Sequence, residues 1–266
     1  MSEDDNDCKN ALHWACKGGH ESMWECVLKQ YGKSIRRVKI RLLIDAAFGG
    51  KKDLCEFLIC IGANASGHIK GNSVLHFAVL GGDMNVVKYL LSQDNIDINC
   101  WGEAGMTPLM TSAMHGRREL FDFLVRMGAN VSLVDDGGDN ILHYASAYDE
   151  SEIVRYIISE HIVDINSRGE NGTTPLMTAA FHGHIAVLDL LVRNGGRTDI
   201  VDDNGRNILH WASSGGHLKT VKHILSQRLA DINARDNNGE TAAMIAKRER
   251  KSKVFQFLVS KGCLVK

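Results

Sequence analysis

The side chains best suited to chemistry in this chain are histidines that recur in one sequence context. His13, His76, His143 and His210 each follow a leucine and precede an aromatic residue. A histidine can act as a general base or bind a metal ion near neutral pH. A catalytic site, however, needs a nucleophile, a base and an orienting partner that converge on one cleft. Histidines at a regular interval do not supply that arrangement, so we predict no catalytic residue and no enzymatic activity.

Two groups of histidine and cysteine have the chemistry of metal ligands. They are His13, Cys16 and His20, and the pair His182 and His184. A structural zinc site needs four ligands with paired spacing such as Cys-x2-Cys, whereas four residues separate Cys55 from Cys60. Paired glycines recur along the chain, but they do not fit a phosphate-binding loop between a strand and a helix. We therefore predict neither a metal site nor a cofactor.

The composition excludes several classes of function. The chain has 266 residues, a net charge of −1 and 44% hydrophobic residues. It can therefore build a core, but it lacks the basic face that general nucleic-acid binding requires. No apolar run reaches about 18 residues, so we expect no membrane insertion. The acidic residues 3–7 do not resemble a signal peptide. Seven cysteines form an odd set, which indicates free thiols and a cytoplasmic protein.

Two basic runs, residues 33–41 and 247–253, leave the nucleus open as a second compartment. Such a run is typical of a nuclear import signal or a polyanion-binding patch. It also fits the solvated face of a terminal repeat. Both interpretations stay open for each run.

The residues discussed above lie in an internal sequence repeat. The segment that begins at Gly105 returns at Gly172, and the segment that begins at Gly138 returns at Gly205, in both cases 67 residues later. The repeat is therefore about 33 residues long, in alternating pairs, and self-similarity at this period is typical of a solenoid.

Each repeat predicts two short helices. A Ser, Thr or Asn at the start of the first helix can accept hydrogen bonds from its free N–H groups. A glycine after that helix can take the conformation that breaks it. Asp149 and Arg250 replace this glycine in two repeats, and we expect those turns to be distorted.

The repeats resemble the ankyrin repeat. The resemblance rests on the Thr-Pro-Leu-Met segments after Gly105 and Gly172, on second helices such as residues 86–91, and on the ending Asp97-Ile98-Asn99. It covers almost the whole chain. It implies an all-α solenoid of stacked helix-turn-helix units with short hairpin-like turns. It also implies that the recurring histidine links neighbouring repeats and that the aromatic residue after it, such as Phe77, packs in the core.

We expect one array of about eight repeats over residues 1–266, with the first and last as caps. The repeats span residues 8–38, 39–70, 71–104, 105–137, 138–171, 172–204, 205–238 and 239–266. They are aligned on the first-helix positions Leu12, Leu43, Leu75, Leu109, Leu142, Leu176, Leu209 and Ala243.

The resemblance implies a scaffold or adaptor that binds a protein or peptide on the concave face of the first helices. In the ankyrin pattern the two residues before the inter-helix glycine point into this groove. The corresponding residues here are Phe48, Leu80, Met114, Tyr148 and Phe181, with His115 and His182 beside them. An exposed apolar patch marks an interaction site, so we predict that a monomeric chain binds its partner there. The two histidines would make the affinity change between about pH 6 and 7.5.

Three alternatives stay open. In the first, the apolar side chains lean onto neighbouring first helices and form the edge of the core. In the second, the chain is the regulatory or targeting portion of a larger protein, such as a channel, a kinase or a death-domain adaptor. Finally, Asn99 and Asn233 each follow an Asp-Ile pair and a leucine eight residues earlier, which resembles the substrate site of an asparaginyl hydroxylase.

The free thiols give a first testable prediction. A reducing agent should leave the Tm unchanged, because no disulfide constrains the chain. All seven cysteines should react with a thiol reagent in the unfolded protein. A Tm that falls by several degrees on reduction, or a smaller number of reactive thiols, would contradict this prediction.

Overall fold

The computed structural model describes residues 35–265, with side chains from residue 38 onward. Within this range α-helices joined by turns form nearly all the regular structure, which confirms the predicted all-α class. Most of the first predicted repeat, including His13, Trp14, Cys16 and His20, lies outside the described residues. The count of eight repeats and their boundaries therefore stay predictions.

The described helices form seven consecutive pairs. They are α1 (Ile35–Phe48), α2 (Lys52–Cys60), α3 (Val74–Gly81), α4 (Met84–Leu91), α5 (Pro108–Met114), α6 (Arg118–Arg126), α7 (Ile141–Ala147), α8 (Ser151–Ser159), α9 (Pro175–His182), α10 (Ile185–Arg193), α11 (Ile208–Gly215), α12 (Leu218–Ser226), α13 (Ala242–Arg248) and α14 (Ser252–Ser260). Between α2 and α3, the strands β1 (His68–Ile69) and β2 (Asn72–Ser73) pair antiparallel, with His68 opposite Ser73. Single 3-10 turns, Glu103–Gly105 and Glu170–Gly172, precede α5 and α9.

The chain divides into two compact units. Of the described residues, the N-terminal unit comprises those up to Ser112 together with Glu119–Asn130, and the C-terminal unit comprises Ala113–Arg118 together with those from Val131 onward. In the N-terminal unit, α1 packs against α3, and α2 packs against α4. In the C-terminal unit, the first helices α7, α9, α11 and α13 pack in sequence order, while α8 contacts α10 and α12 contacts α14.

Capping side chains begin the first helices where the sequence predicts them. Thr174 accepts a hydrogen bond from the backbone N–H of Met177, and Asn140 accepts from the N–H groups of Leu142 and His143. Pro175 is the first residue of α9, where its missing N–H leaves no hydrogen bond unmade. Each cap satisfies backbone donors that the helix itself cannot satisfy.

Left-handed backbone ends the first helices even where glycine is absent. Gly183 has a φ of 85°, and Asp149 and Arg250 have φ values of 61° and 57°. The turn after Asp149 forms the same kind of hydrogen bond as the turn after Gly183, with Glu150 N–H donating to the Ala145 carbonyl at 3.0 Å. The expected distortion at Asp149 and Arg250 is therefore wrong. Each residue keeps the repeat geometry and takes a strain of about 1–2 kcal/mol, which the packing of the two helices offsets.

The aligned first-helix positions form the centre of the core. Each is at most 1% exposed: Leu43, Leu75, Leu109, Leu142, Leu176, Leu209 and Ala243. Small alanines in the same helices, such as Ala78 and Ala179, have no exposed surface. Their size lets helices approach closely, and the leucines fill the space between the two helix layers.

Buried histidines join consecutive repeats by hydrogen bonds. Nδ1 of His143 accepts from the backbone N–H of Asn140 at 3.3 Å, and its Nε2 donates to the Thr173 carbonyl of the next repeat at 3.2 Å. His76 and His210 make the same type of bond to the next repeat, at 3.0 and 3.2 Å. Burial lowers the pKa of all three histidines from the ordinary value of 6.5, because an apolar site disfavours the charged imidazolium. They are neutral links between repeats.

These histidines predict how stability depends on pH. In the unfolded chain each has its ordinary pKa of 6.5, and in the folded chain its pKa is lower. Their contribution to stability is therefore complete above pH 6.5 and is lost as the pH falls through the folded pKa values, because the unfolded state then binds more protons. We expect the Tm to fall between neutral pH and about pH 5.

The variant His143→Ala tests the assignment of this effect. At pH 7.5 it should lose about 1–3 kcal/mol of stability, because two hydrogen bonds disappear and the backbone N–H of the buried Asn140 loses its acceptor. Its Tm should also depend less steeply on pH than that of the wild type. The control His161→Asn changes an exposed histidine and should alter neither quantity. An unchanged acid dependence in His143→Ala would contradict the assignment.

Candidate functional site

In the N-terminal unit, two of the predicted binding residues line a groove. Phe48 at the end of α1 is 49% exposed, and Leu80 in α3 is half-buried. The groove has a volume of about 390 Å³, and Ile44, Ile69 and Phe77 also line it. The first helices α1 and α3 and the strand β1 thus supply one continuous apolar lining.

A close approach of two helices positions Phe48. A Cβ atom on Gly81 would lie 2.3 Å from the carbonyl oxygen of Phe48, which is far inside van der Waals contact. Only glycine therefore lets α3 come this close to the end of α1. The backbone of Phe48 is held against α3 while about half of its side chain stays exposed.

The edge of this groove carries charged groups. Arg41 and Asp45 form an ion pair along α1, with Nε and Oδ2 3.5 Å apart. Lys70 lies at the tight turn between β1 and β2, where its φ is 50°, and its side chain also lines the groove. Because Arg41 and Asp45 offset each other, Lys70 leaves the edge with a net positive charge.

The C-terminal unit contains the other five predicted residues, and they occupy two places in the repeat. Met114 and Phe181 stand first before the inter-helix turn, whereas Tyr148 stands second, as His115 and His182 do. Tyr148 is 48% exposed, and its ring centroid lies 6.4 Å from that of His115. Tyr148 and His115 therefore form an exposed aromatic pair, and Met114 is half-buried.

Phe181 packs at the edge of the core. Its ring meets the ring of Trp211 in α11 edge to face, with centroids 5.6 Å apart, and that of His182 at 5.0 Å. A Cβ atom on Gly215 would lie 1.9 Å from the Phe181 carbonyl oxygen, so α11 approaches α9 as closely as α3 approaches α1. For Phe181 the contacts agree with the core-edge alternative, whereas the exposure of Tyr148 agrees with the binding interpretation.

The two candidate histidines are mainly uncharged at neutral pH. Burial and the nearby Arg117 lower the pKa of His115 from 6.5. Burial, together with His184 and His217, lowers the pKa of His182 from the same value. Both changes arise because the surroundings disfavour an added positive charge. A pH-dependent affinity is therefore expected below pH 6.5, lower than the range that the sequence predicts.

The candidate hydroxylation sites link neighbouring repeats. The Oδ1 atom of Asn99 accepts a hydrogen bond from the backbone N–H of Asn130 at 2.8 Å. In the same way Oδ1 of Asn233 accepts from the N–H of Leu264 at 2.8 Å. Both asparagines are half-buried. Each side chain thus has a structural role at the end of its repeat, and hydroxylation at either position stays a prediction.

The described side chains do not assemble a metal site. No group of three or more His, Cys, Asp or Glu residues comes together within this part of the chain in a way that could hold a metal ion. The rings of His182 and His184 stack with centroids 6.0 Å apart, but Nε2 of His184 donates to the Ala147 carbonyl at 2.9 Å. None of the helices in the described range is long and apolar enough to cross a membrane.

Sequence reasoning missed three large apolar side chains of the groove beside Phe48. Phe77 follows a repeat histidine, which predicts a core position, yet it is half-buried and lines the groove. Ile44 is buried in α1, so only a small part of its side chain reaches the groove. Ile69 lies in β1. The one sequence signal that could have found it is a β-branched residue directly before the turn-forming segment Lys70-Gly71-Asn72.

Known proteins share the repeat pattern. A family model described as "Ankyrin repeats (3 copies)" matches residues 42–135, 119–202 and 186–266. The palmitoyltransferase AKR1 of Lachancea kluyveri is 30% identical over 65% of this chain and 24% of its own length. The putative palmitoyltransferase ZDHHC13 of Danio rerio is 29% identical over 77% of this chain and 32% of its own length. Rabankyrin-5 of Mus musculus is 32% identical over 49% of this chain and 11% of its own length.

The family match agrees with the consecutive helix pairs of the structure. The family model covers the chain from residue 42 to residue 266, and the chain spans only a quarter to a third of the length of the two palmitoyltransferases. The chain therefore belongs to the ankyrin-repeat family and has the all-α solenoid fold of that family.

Proposed function

We propose that this chain is a non-enzymatic interaction module that binds a protein or peptide partner at the ends of its first helices. Ankyrin repeats generally serve as protein-interaction domains, and the chain consists largely of such repeats. The observation that carries the proposal is the apolar groove beside Phe48, because an aromatic side chain that is 49% exposed lines it.

The groove suits an apolar side chain of a partner. Phe48, Leu80 and Phe77 offer apolar surface whose burial stabilises a complex. Phenylalanine also belongs to the aromatic residues that are enriched at protein interfaces. The positive charge of Lys70 at the edge favours a partner in which an Asp or Glu is adjacent in sequence to the apolar residue that enters the groove.

The exposed pair of Tyr148 and His115 supplies a second contact surface in the C-terminal unit. A tyrosine combines a large apolar ring with a hydroxyl group that can donate a hydrogen bond, which suits a surface that is wet when free and buried when bound. Met114 lies next to His115 in the chain and is half-buried. We expect this surface to add affinity rather than to bind alone.

The polar groups of the repeats support a non-enzymatic role. His143 is engaged by Asn140 and Thr173, and the Tyr144 hydroxyl donates to Asp135 at 2.6 Å. Burial and this carboxylate raise the pKa of Tyr144, so the phenol stays protonated. Side chains with these roles hold the fold together and are not available to a substrate.

A second candidate function is regulation or targeting within a longer protein. It is favoured by the palmitoyltransferase relatives, in which the matched region is 24% and 32% of the length. An antibody against the repeats would measure the mass of the native polypeptide. A mass near 29.3 kDa would contradict this candidate, and a much larger mass would support it.

Stability measurements separate an exposed binding residue from an edge-of-core residue. Tyr148→Ala should change the free energy of unfolding by no more than about 0.5 kcal/mol, because half of the side chain is already exposed. Phe181→Ala should lower it by about 1–3 kcal/mol, because it loses the ring contact with Trp211. Chemical denaturation of the two variants measures both values. Equal losses in the two variants would contradict this division.

Binding measurements test the proposed function. Peptides selected from a random library on the wild-type protein should bind Phe48→Ser more weakly by about 1–3 kcal/mol, because the groove loses a central aromatic contact. The matched control Val259→Ser removes an apolar side chain that is 41% exposed in α14, and it should bind as the wild type does. Fluorescence anisotropy gives the Kd values, and circular dichroism verifies that each variant is folded.

Two results would contradict the proposal. One is selection of peptides whose affinity changes neither in Phe48→Ser nor in Tyr148→Ser. The other is an equal loss of affinity in Val259→Ser, because that outcome would indicate nonspecific binding to apolar surface.

A further inference from the structure

A second groove lies between the second helices at the end of the C-terminal unit. Its volume is about 570 Å³, and it is lined by α12, the turn that follows α12, and α14. Its apolar surface comes from Leu225, Ile232 and Phe257. It is formed by residues other than those of the first helices, so it does not depend on the binding function proposed above. We call it the basic groove because three cations surround it.

Three cations surround the apolar surface of the basic groove. Lys222 and Lys261 lie over the ring of Phe257, with Nζ 5.3 and 5.8 Å from its centroid, and Arg228 also lines the groove. All three side chains are exposed. Within the described part of the chain, none of them forms an ion pair.

One carboxylate, Asp231, also lines the basic groove. Its Oδ1 atom accepts a hydrogen bond from the backbone N–H of Asn233 at 3.0 Å, so it is held in the local turn. Asp231 offsets one of the three cations, and the groove retains a net positive charge. The whole chain has a net charge of −1, so this charge is a local feature and not a consequence of composition.

The same place in two other repeats lacks this group of cations. In the N-terminal unit, Lys88 lies over the ring of Phe123, with Nζ 5.5 Å from its centroid. This pair corresponds to Lys222 and Phe257. The positions that correspond to Arg228 and Lys261, however, are occupied by Asp94 and Met127. One repeat earlier in the C-terminal unit, the positions of Lys222 and Phe257 are taken by Asp189 and His223. Those two side chains bind each other at 2.6 Å.

We propose that the basic groove binds an acidic amphipathic segment of a partner protein. An aromatic or aliphatic side chain of the segment packs against Phe257 and Leu225, where apolar surface is removed from water. Carboxylates on either side of that residue pair with the three cations. The cations are already positioned over or beside the apolar surface, so one short segment can satisfy both kinds of contact. Charge complementarity of this kind also selects against basic partners.

A synthetic peptide in which phenylalanine and leucine alternate with pairs of glutamates tests the proposal. The probe is the fluorescently labelled peptide, and the measurement is anisotropy with the full chain. We expect saturable binding that weakens as NaCl rises from about 0.05 to about 0.3 M, because salt screens exposed charges. A peptide with lysine in place of every glutamate should not bind. A peptide with alanine in place of the apolar residues should bind at least about tenfold more weakly.

A matched pair of variants locates the site. Lys222→Glu, Arg228→Asp and Lys261→Glu in one protein should weaken binding at least about tenfold, since three favourable charge contacts become unfavourable. Aspartate is chosen for position 228 because Arg228 has a φ of 55°, a conformation that Asp tolerates. The control Lys88→Glu changes the equivalent lysine over Phe123 and should leave the affinity within about twofold.

Several outcomes would overturn the proposal. They are the absence of peptide binding, binding that the triple variant retains, and an equal loss in Lys88→Glu. Preferential binding of anionic phospholipid vesicles or of single-stranded RNA over the acidic peptide would also overturn it, because the groove would then recognise negative charge alone. Circular dichroism should give the same Tm for all three proteins, since every changed side chain is exposed.

Discussion

The hydrogen bond from a buried, neutral histidine to a carbonyl of the next repeat is the interaction on which the rest of the described structure depends. His143 is 1% exposed and links the cap of its own helix to the following turn. A charged imidazolium would be costly at this depth, so the link requires the neutral form. Because the bond fixes where the next turn lies, it also fixes where the next pair of helices begins.

Glycine sets the distance between consecutive first helices. At Gly81 and Gly215 a side chain would collide with the carbonyl oxygen at the end of the preceding first helix. This contact is made by backbone, so the close approach itself does not require the side chains of Phe48 and Phe181. Phe48 remains half exposed, while Phe181 finds a neighbour in Trp211. The same backbone geometry thus produces a candidate binding residue in one repeat and an edge-of-core residue in another.

The two candidate interaction surfaces differ in chemistry. The groove beside Phe48 is mainly apolar, with Lys70 at its edge, whereas the basic groove combines an apolar surface with three exposed cations. Surfaces of different chemistry suit partner segments of different chemistry. The relatives that share the repeats are much longer proteins, in which a repeat region occupies only part of the chain.

The sequence by itself determined the features that depend on residues within one repeat: the period, the capping residues such as Asn140 and Thr174, and the buried leucines such as Leu142. Local hydrogen bonding and helical spacing decide these features, so they can be read from the order of residues. The sequence also indicated which side chains stand at the ends of the first helices. It could not distinguish the exposed Tyr148 from the packed Phe181, because exposure depends on how closely the next repeat approaches and what side chain it presents. The basic groove likewise required the tertiary structure, since Lys222 lies in α12 and Lys261 directly follows α14, and the two meet over Phe257 only when these helices pack together.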